Sequence, residues 1–170
     1  MRILLYRHAP AETSDPQNWP DDLLRPLTTR GKARARRATR AIVRLESGIT
    51  RVLTSPAARC TATADILCRE LGPAFTPEPL ASLAPGGSWR ETLRALERET
   101  ADSVVVLVGH EPDLGKFAGV LLFGAPASVP LKKAGACAIE AESAEAGAGR
   151  LRWLWSAGVL RSLTRKRSKA

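Results

Sequence analysis

Short apolar runs alternate with longer amphipathic segments along most of this chain, and the two periods predict its elements. Residues 3–6 form an uninterrupted apolar run that reads as a first strand. Residues 28–46 carry Ala38, Ala41, Ile42 and Leu45 at helical spacing, with Thr28 as N-cap and Gly48 just past the end. A second strand is expected at 51–54. Pro56 then opens a helix with Ala62, Ile66, Leu67 and Leu71 on one side, which stops at Gly72-Pro73. A Pro- and Gly-rich connection over 73–87 leads into a short helix at 88–99. The run SVVVLV at 103–108 is the strongest strand signal, continuous rather than alternating, as a strand covered on both faces requires. Residues 113–122 read as a helix, and 134–141 and 151–155 as two later strands that could form a hairpin through small polar residues.

This alternation implies an α/β fold: a single-domain three-layer sandwich with a largely parallel central sheet flanked by helices. A length of 170 residues, 44% of them apolar, suffices for one core. Residues 1–160 are expected to form the domain and 161–170 a basic, disordered tail. No apolar stretch approaches the roughly 20 residues of a membrane span, and no cleavage site follows the start, so no membrane partner and a cytoplasmic location are expected. Cys60, Cys68 and Cys137 are odd in number and lack metal-ligand spacing. They read as buried, reduced small hydrophobes, with no metal site.

Charge adds one feature. The net charge is +9, and Arg25, Arg30, Lys32, Arg34, Arg36, Arg37, Arg40 and Arg44 fall in a stretch with no acidic residue between Asp22 and Glu46. Arg161, Arg165, Lys166, Arg167 and Lys169 form a second cluster. An acidic protein or polyanion is one partner that such a helix could attract; a solvated helix face is the plainer reading, because no stacking aromatics are interleaved. Oligomeric state is not legible.

The chemistry gathers at the strand ends. In open α/β sheets, ligands bind outside the carboxyl ends of the strands. The first strand exits through Arg7-His8, the second through Ser55-Pro56 with Arg59 a turn later, and the third through Gly109-His110. The chain's two histidines thus both follow predicted strands. Two guanidiniums and two imidazoles on one edge make a pocket for a dianion such as a phosphoryl group, and a neutral imidazole is a competent nucleophile toward phosphorus. Taken singly, each residue has a bland alternative: a satisfied surface histidine, a helix-face cation at Arg59, or an ion pair from Arg7 to Glu12 or Asp15.

The segments LYRHAPAE, RPLTTRG (25–31), LTSPAARCTATA (53–64) and VLVGHEPDL (106–114) resemble, in order and spacing, the landmarks of the histidine phosphatase superfamily. The short length and the late LKKAGACAIE (131–140) are most similar to its small phosphohistidine phosphatase branch, the SixA type. The resemblance extends to about residue 160. It implies a phosphoglycerate mutase-like fold, no metal or organic cofactor, and a phosphorylated protein or small phosphorylated molecule as substrate. It further implies His8 as a transiently phosphorylated nucleophile, Arg7 and Arg59 as the clasp on the phosphoryl oxygens, His110 as a further donor, and Arg25 at the pocket rim.

Ala9 stands where the signature has glycine, and Ala62 where many relatives have glutamine. No carboxylic acid for protonating an alcohol leaving group stands out among Glu12, Asp15, Glu91, Glu111 and Asp113. A phosphohistidine ring can leave without strong acid catalysis, so phosphohistidine hydrolysis is the expected activity. A broad phosphomonoesterase and a catalytically weak phosphate- or polyanion-binding protein are the alternatives. Trp89 and the 73–87 segment are expected at the pocket entrance, although an apolar anchor explains Trp89 equally well.

Overall fold

Continuous apolar runs become strands buried on both faces, and amphipathic segments become the helices that cover them. The computed structural model describes residues 1–164. Its elements are β1 (Arg2–Arg7), α1 (Thr29–Leu45), β2 (Arg51–Thr54), α2 (Ala58–Leu71), β3 (Glu78–Pro79), α3 (Trp89–Leu96), β4 (Val104–Gly109), α4 (Asp113–Phe123), β5 (Ala136–Ala141), β6 (Gly149–Trp155) and α5 (Ala157–Leu163). The six strands form one sheet in the order β3-β2-β4-β1-β5-β6. Pairs β3-β2, β2-β4 and β4-β1 are parallel, whereas β5 runs antiparallel to both β1 and β6.

Side chains alternate across the central strands, so each strand feeds two cores. Leu4, Tyr6, Val106 and Val108 pack with Ala38 and Ile42 of α1, Leu67 of α2 and Leu160 of α5. Ile3, Leu5, Val105 and Leu107 face Leu96 of α3 and Leu114 and Leu121 of α4. Three layers result, as the alternation of elements predicts. Thr28 does cap α1, its side-chain oxygen accepting from the Gly31 N–H at 2.8 Å. All three cysteines are buried and unpaired.

Two expectations need correction. The domain does not end at residue 160, because α5 continues to Leu163 and carries Arg161. Leu160 is fully buried in the α1–α2 core, and that burial holds a short segment helical despite Gly158, which weakens its local helix signal. The rest of the expected tail, 165–170, lies outside the described residues. The 73–87 connection also contains the two-residue edge strand β3, where Leu53 and Thr54 pair with Glu78 and Pro79. Two residues ending in proline are too short for a periodicity signal.

The β1–β4 register positions the site. Arg7 is opposite Gly109, and the His8 N–H donates to the Gly109 carbonyl at 3.0 Å. His8 and His110 therefore leave adjacent parallel strands at the same level. On the other flank of β4, Thr54 pairs with Val108 and the Ser55 N–H donates to Val108, which brings the end of β2 to the same edge. The N-terminus of α1 closes on the loop after His8. The Thr28 N–H donates to the Pro10 carbonyl, and a Cβ on Gly31 would lie 1.8 Å from that oxygen. Only glycine admits this approach.

Candidate functional site

His8 begins the loop after β1 and is 6% exposed, while His110 begins the loop after β4 and is 4% exposed. Their ring centroids are 5.2 Å apart, with the planes inclined at 57°. His8 Nδ1 lies 2.7 Å from its neighbour's carbonyl, that of Ala9. This contact requires a proton on Nδ1 and leaves the Nε2 lone pair free when the ring is neutral. Burial, opposed by the Ala9 hydrogen bond but assisted by the charges of Arg59, Arg7 and Lys133, pushes the His8 pKa down to about 4. Burial, with Arg59 and His8, takes His110 down to about 3. Both rings are neutral at physiological pH.

His110 Nε2 lies 2.9 Å from Ser55 Oγ and 3.3 Å from Cys60 Sγ. Ser55 Oγ already accepts the Ala57 N–H, so its own proton is available to Nε2. With Ser55 donating to Nε2, the neutral His110 ring carries its proton on Nδ1. Burial pushes the Cys60 thiol up to about 12, so it acts here as a neutral packing group and not as a nucleophile.

Arg59 is 3% exposed, on the first turn of α2. It donates from Nη1 to the Asp22 carbonyl at 2.6 Å and pairs through Nη2 with the Asp22 carboxylate at 2.9 Å. Arg25 donates from Nε to the same carboxylate at 2.7 Å and from Nη1 to the Glu12 carbonyl at 2.7 Å. Asp22 thus bridges the two arginines, and its pKa is lowered, chiefly by the Arg25 hydrogen bond. Arg7 donates to the Leu131 carbonyl at 2.8 Å, and Glu111 Oε1 accepts the Leu131 N–H at 3.0 Å. The Nε atoms of Arg7 and Arg59 are both buried without a protein partner.

Four expected residues, Arg7, His8, Arg59 and His110, are therefore brought together. Arg25 sits one residue further out, joined to Arg59 through Asp22. The alternative ion pair from Arg7 to Glu12 or Asp15 does not form: Arg7 turns to Leu131, with Glu111 as the charge that partly offsets its burial. Among the candidate acids, Asp15 bonds Gln17 and Asn18, Asp113 accepts the Gly86 N–H, and Glu111 holds Leu131. Trp89 packs on the α3–α4 core, as the anchor reading has it, and lines a 40 Å³ cavity that touches His110 but none of Arg7, His8 or Arg59. At Ala9 the backbone φ is not positive, and the Ala9 N–H donates to Thr63 Oγ1 at 3.2 Å, so alanine in place of glycine carries no backbone strain there.

Sequence reasoning missed Asp22, Ser55 and Lys133. Lys133 is a further cation at this edge, its pKa lowered by burial and then by Arg7, Arg25 and Arg59. Asp22 is the last acidic residue before the basic stretch and precedes Arg25 by one turn, a spacing that makes an Arg–Asp pair.

Residues 3–84 match the sequence model of the histidine phosphatase superfamily (branch 1). An uncharacterized protein of Picosynechococcus sp. is 40% identical over 139 residues, which cover 79% of this chain and 82% of that protein. The chain belongs to the histidine phosphatase superfamily. The fold match continues beyond the residues that the sequence model covers. The protein histidine phosphatase SixA, solved with tungstate, superposes with a TM-score of 0.81 at 24% identity, over 94% of this chain and 99% of that one. A mycobacterial glucosyl-3-phosphoglycerate phosphatase, solved with inorganic phosphate, superposes with a TM-score of 0.71 at 18% identity, over 92% and 98%. Structures of this fold thus include proteins named for different phosphorylated substrates. Among the described residues no helix is long and apolar enough to cross a membrane, and no His, Cys, Asp and Glu group could hold a metal ion.

The two neutral histidines make a pH prediction. An unfolded histidine has a pKa of about 6.5, so between pH 6.5 and about 4 the unfolded chain binds a proton at position 8 that the folded chain refuses. Stability is complete above pH 6.5 and is lost as pH falls through that window, by on the order of 3 kcal/mol for His8. Urea unfolding of wild type and His8→Gln at pH 7 and pH 4.5 checks this. The variant should lose less stability than wild type on acidification. Equal losses would mean that His8 charges freely in the folded state.

Proposed function

We propose that this protein is a phosphatase that hydrolyses phosphohistidine through a covalent phosphoenzyme on His8. The observation that carries the reading is the pair of buried guanidinium Nε–H groups on Arg7 and Arg59, unmatched by protein acceptors, beside a neutral imidazole. Buried donors without acceptors are costly unless a ligand takes them, and phosphoryl oxygens suit the planar guanidinium.

The phosphoryl group docks between Arg7 and Arg59, with His110 Nδ1–H as a further donor and Lys133 adding positive potential. His8 Nε2 attacks phosphorus in line, and the bond to the leaving group breaks with its electron pair passing to that group. The Ala9 carbonyl holds the His8 tautomer and stabilises the charge that ring gains. Water then attacks the phosphorus, the bond to Nε2 breaks and inorganic phosphate leaves. Asp22 acts as a positioning residue, fixing two arms of the Arg59 guanidinium and leaving Nε for the substrate.

The leaving group follows from proton supply. Asp22 is held ionised by Arg25 and Arg59, which makes it a poor acid for an alkoxide; burial raises the Glu111 pKa and inclines it toward the protonated form, but its Oε1 is turned to the Leu131 N–H. His110, with its pKa near 3, does not serve as one either. A phosphohistidine ring carrying a proton on its second nitrogen departs as neutral imidazole and needs none.

Phosphate release from a phosphohistidine peptide, run beside an alkyl phosphate and without added metal, tests the reading. Release from phosphohistidine at least about a hundredfold faster in kcat/KM supports it, a ratio equivalent to the roughly 2–3 kcal/mol of a general-acid contribution. Comparable rates point to a broad phosphomonoesterase. No release from either removes the enzymatic reading.

A further inference from the structure

A second basic feature lies outside the phosphate pocket. Arg30, Arg34 and Arg37 recur on α1 at intervals that put them on one helix face, and Arg161 of α5 lies across from them. Together with the small residues Ala33 and Gly158 they line a groove of about 360 Å³. All four guanidiniums belong to exposed residues, and among the described residues none has a carboxylate within 4.0 Å; α1's ion pair to an acidic residue is made instead by Arg40, with Glu70. The catalytic apparatus uses none of them.

The two helices that wall the groove both begin near the candidate site. Arg30 precedes Gly31, which packs on the Pro10 carbonyl two residues after His8. On the other wall, Ser156 at the start of α5 lies against Gly135, whose carbonyl accepts the Arg7 N–H. A chain whose phosphorylated residue sits at His8 therefore has a route along α1 and α5. The lining offers charge and no aromatic face, which suits carboxylates and gives bases nothing to stack on.

We infer that the α1–α5 groove docks an acidic segment of a phosphorylated protein, so that the substrate is a phosphoprotein with clustered carboxylates near its phosphohistidine. The inference rests on the phosphatase reading for the identity of the substrate, but not for the binding itself. The arginines act by steering and retention and contribute nothing to the chemical step.

Two peptides test it, each with one phosphohistidine followed by a run of glutamates or of glutamines. Wild type should process the glutamate peptide about tenfold better in kcat/KM, through KM, with the preference vanishing at high salt. Arg34→Glu/Arg37→Glu/Arg161→Glu should lose the preference while processing the glutamine peptide as wild type does, which also verifies its fold. Arg34→Gln/Arg37→Gln/Arg161→Gln should fall between. Binding of the unphosphorylated glutamate peptide, measured by fluorescence anisotropy, separates the two ideas: arginine-dependent binding without any turnover sustains the groove and sinks the phosphatase. Turnover with no glutamate preference, or a preference that survives charge reversal, overturns the groove. A single-stranded oligonucleotide that binds wild type but not the triple variant, with no glutamate preference, would assign the groove to nucleic acid and overturn it equally.

Discussion

His8→Ala is expected to abolish phosphate release from phosphohistidine, leaving no signal above the uncatalysed rate. In the proposed pathway this ring forms the bond to phosphorus, and no neighbouring group can replace it: His110 Nε2 is occupied by Ser55, and the Cys60 thiol is held protonated by burial. A rapid quench of wild type with labelled substrate should trap an acid-labile, alkali-stable phosphoenzyme, as a phosphoramidate requires, and His8→Ala should trap none. Loss of activity should come without loss of stability at mildly acid pH, because the variant removes an imidazole whose protonation burial opposes. Turnover at the wild-type level in a folded His8→Ala protein would refute the covalent pathway.

Arg59→Ala carries the second largest effect, a loss of about 3 kcal/mol or more, above a hundredfold in kcat/KM. Two consequences combine in it. The buried Nε donor disappears from the phosphoryl site, and Asp22 loses both the carbonyl and the carboxylate contacts that tie its loop to α2. Arg59→Lys should recover little, since one ammonium cannot hold Asp22 with two arms and offer a third donor to phosphate. Asp22→Asn isolates the positioning component: it retains the Arg59–carbonyl bond and should cost less than Arg59→Ala, mainly in kcat. A decrease below about tenfold for Arg59→Ala would mean that Arg7, Lys133 and His110 bind the phosphoryl group unaided.

The central strands were legible because their apolar runs are continuous, and α1 because Thr28, its apolar stripe and Gly48 all agree. The weaker elements were not. β3 is two residues on an edge, and α5 contains Gly158 and depends on Leu160 entering a core built by distant segments. The edge that carries the candidate site was legible through two rare residues, each following a strand. Its supporting shell was not, because Asp22 is one of several acids in a polar loop and Ser55 one of several small polar residues before a proline.

Periodicity and motif order along the chain determined the three-layer α/β architecture and singled out Arg7, His8, Arg59 and His110 as the candidate site, because strand burial and strand-end placement are written in local composition. The tertiary structure alone decided how these residues are held. The parallel register of β1 and β4 sets the imidazoles 5.2 Å apart, Asp22 reaches Arg59 from 37 residues away, and Ser55 reaches His110 from 55. It also decided that Arg161 stands opposite α1 and not in a free tail. Such contacts join segments whose local patterns carry no record of one another, and they form only when burial of the shared core brings those segments together.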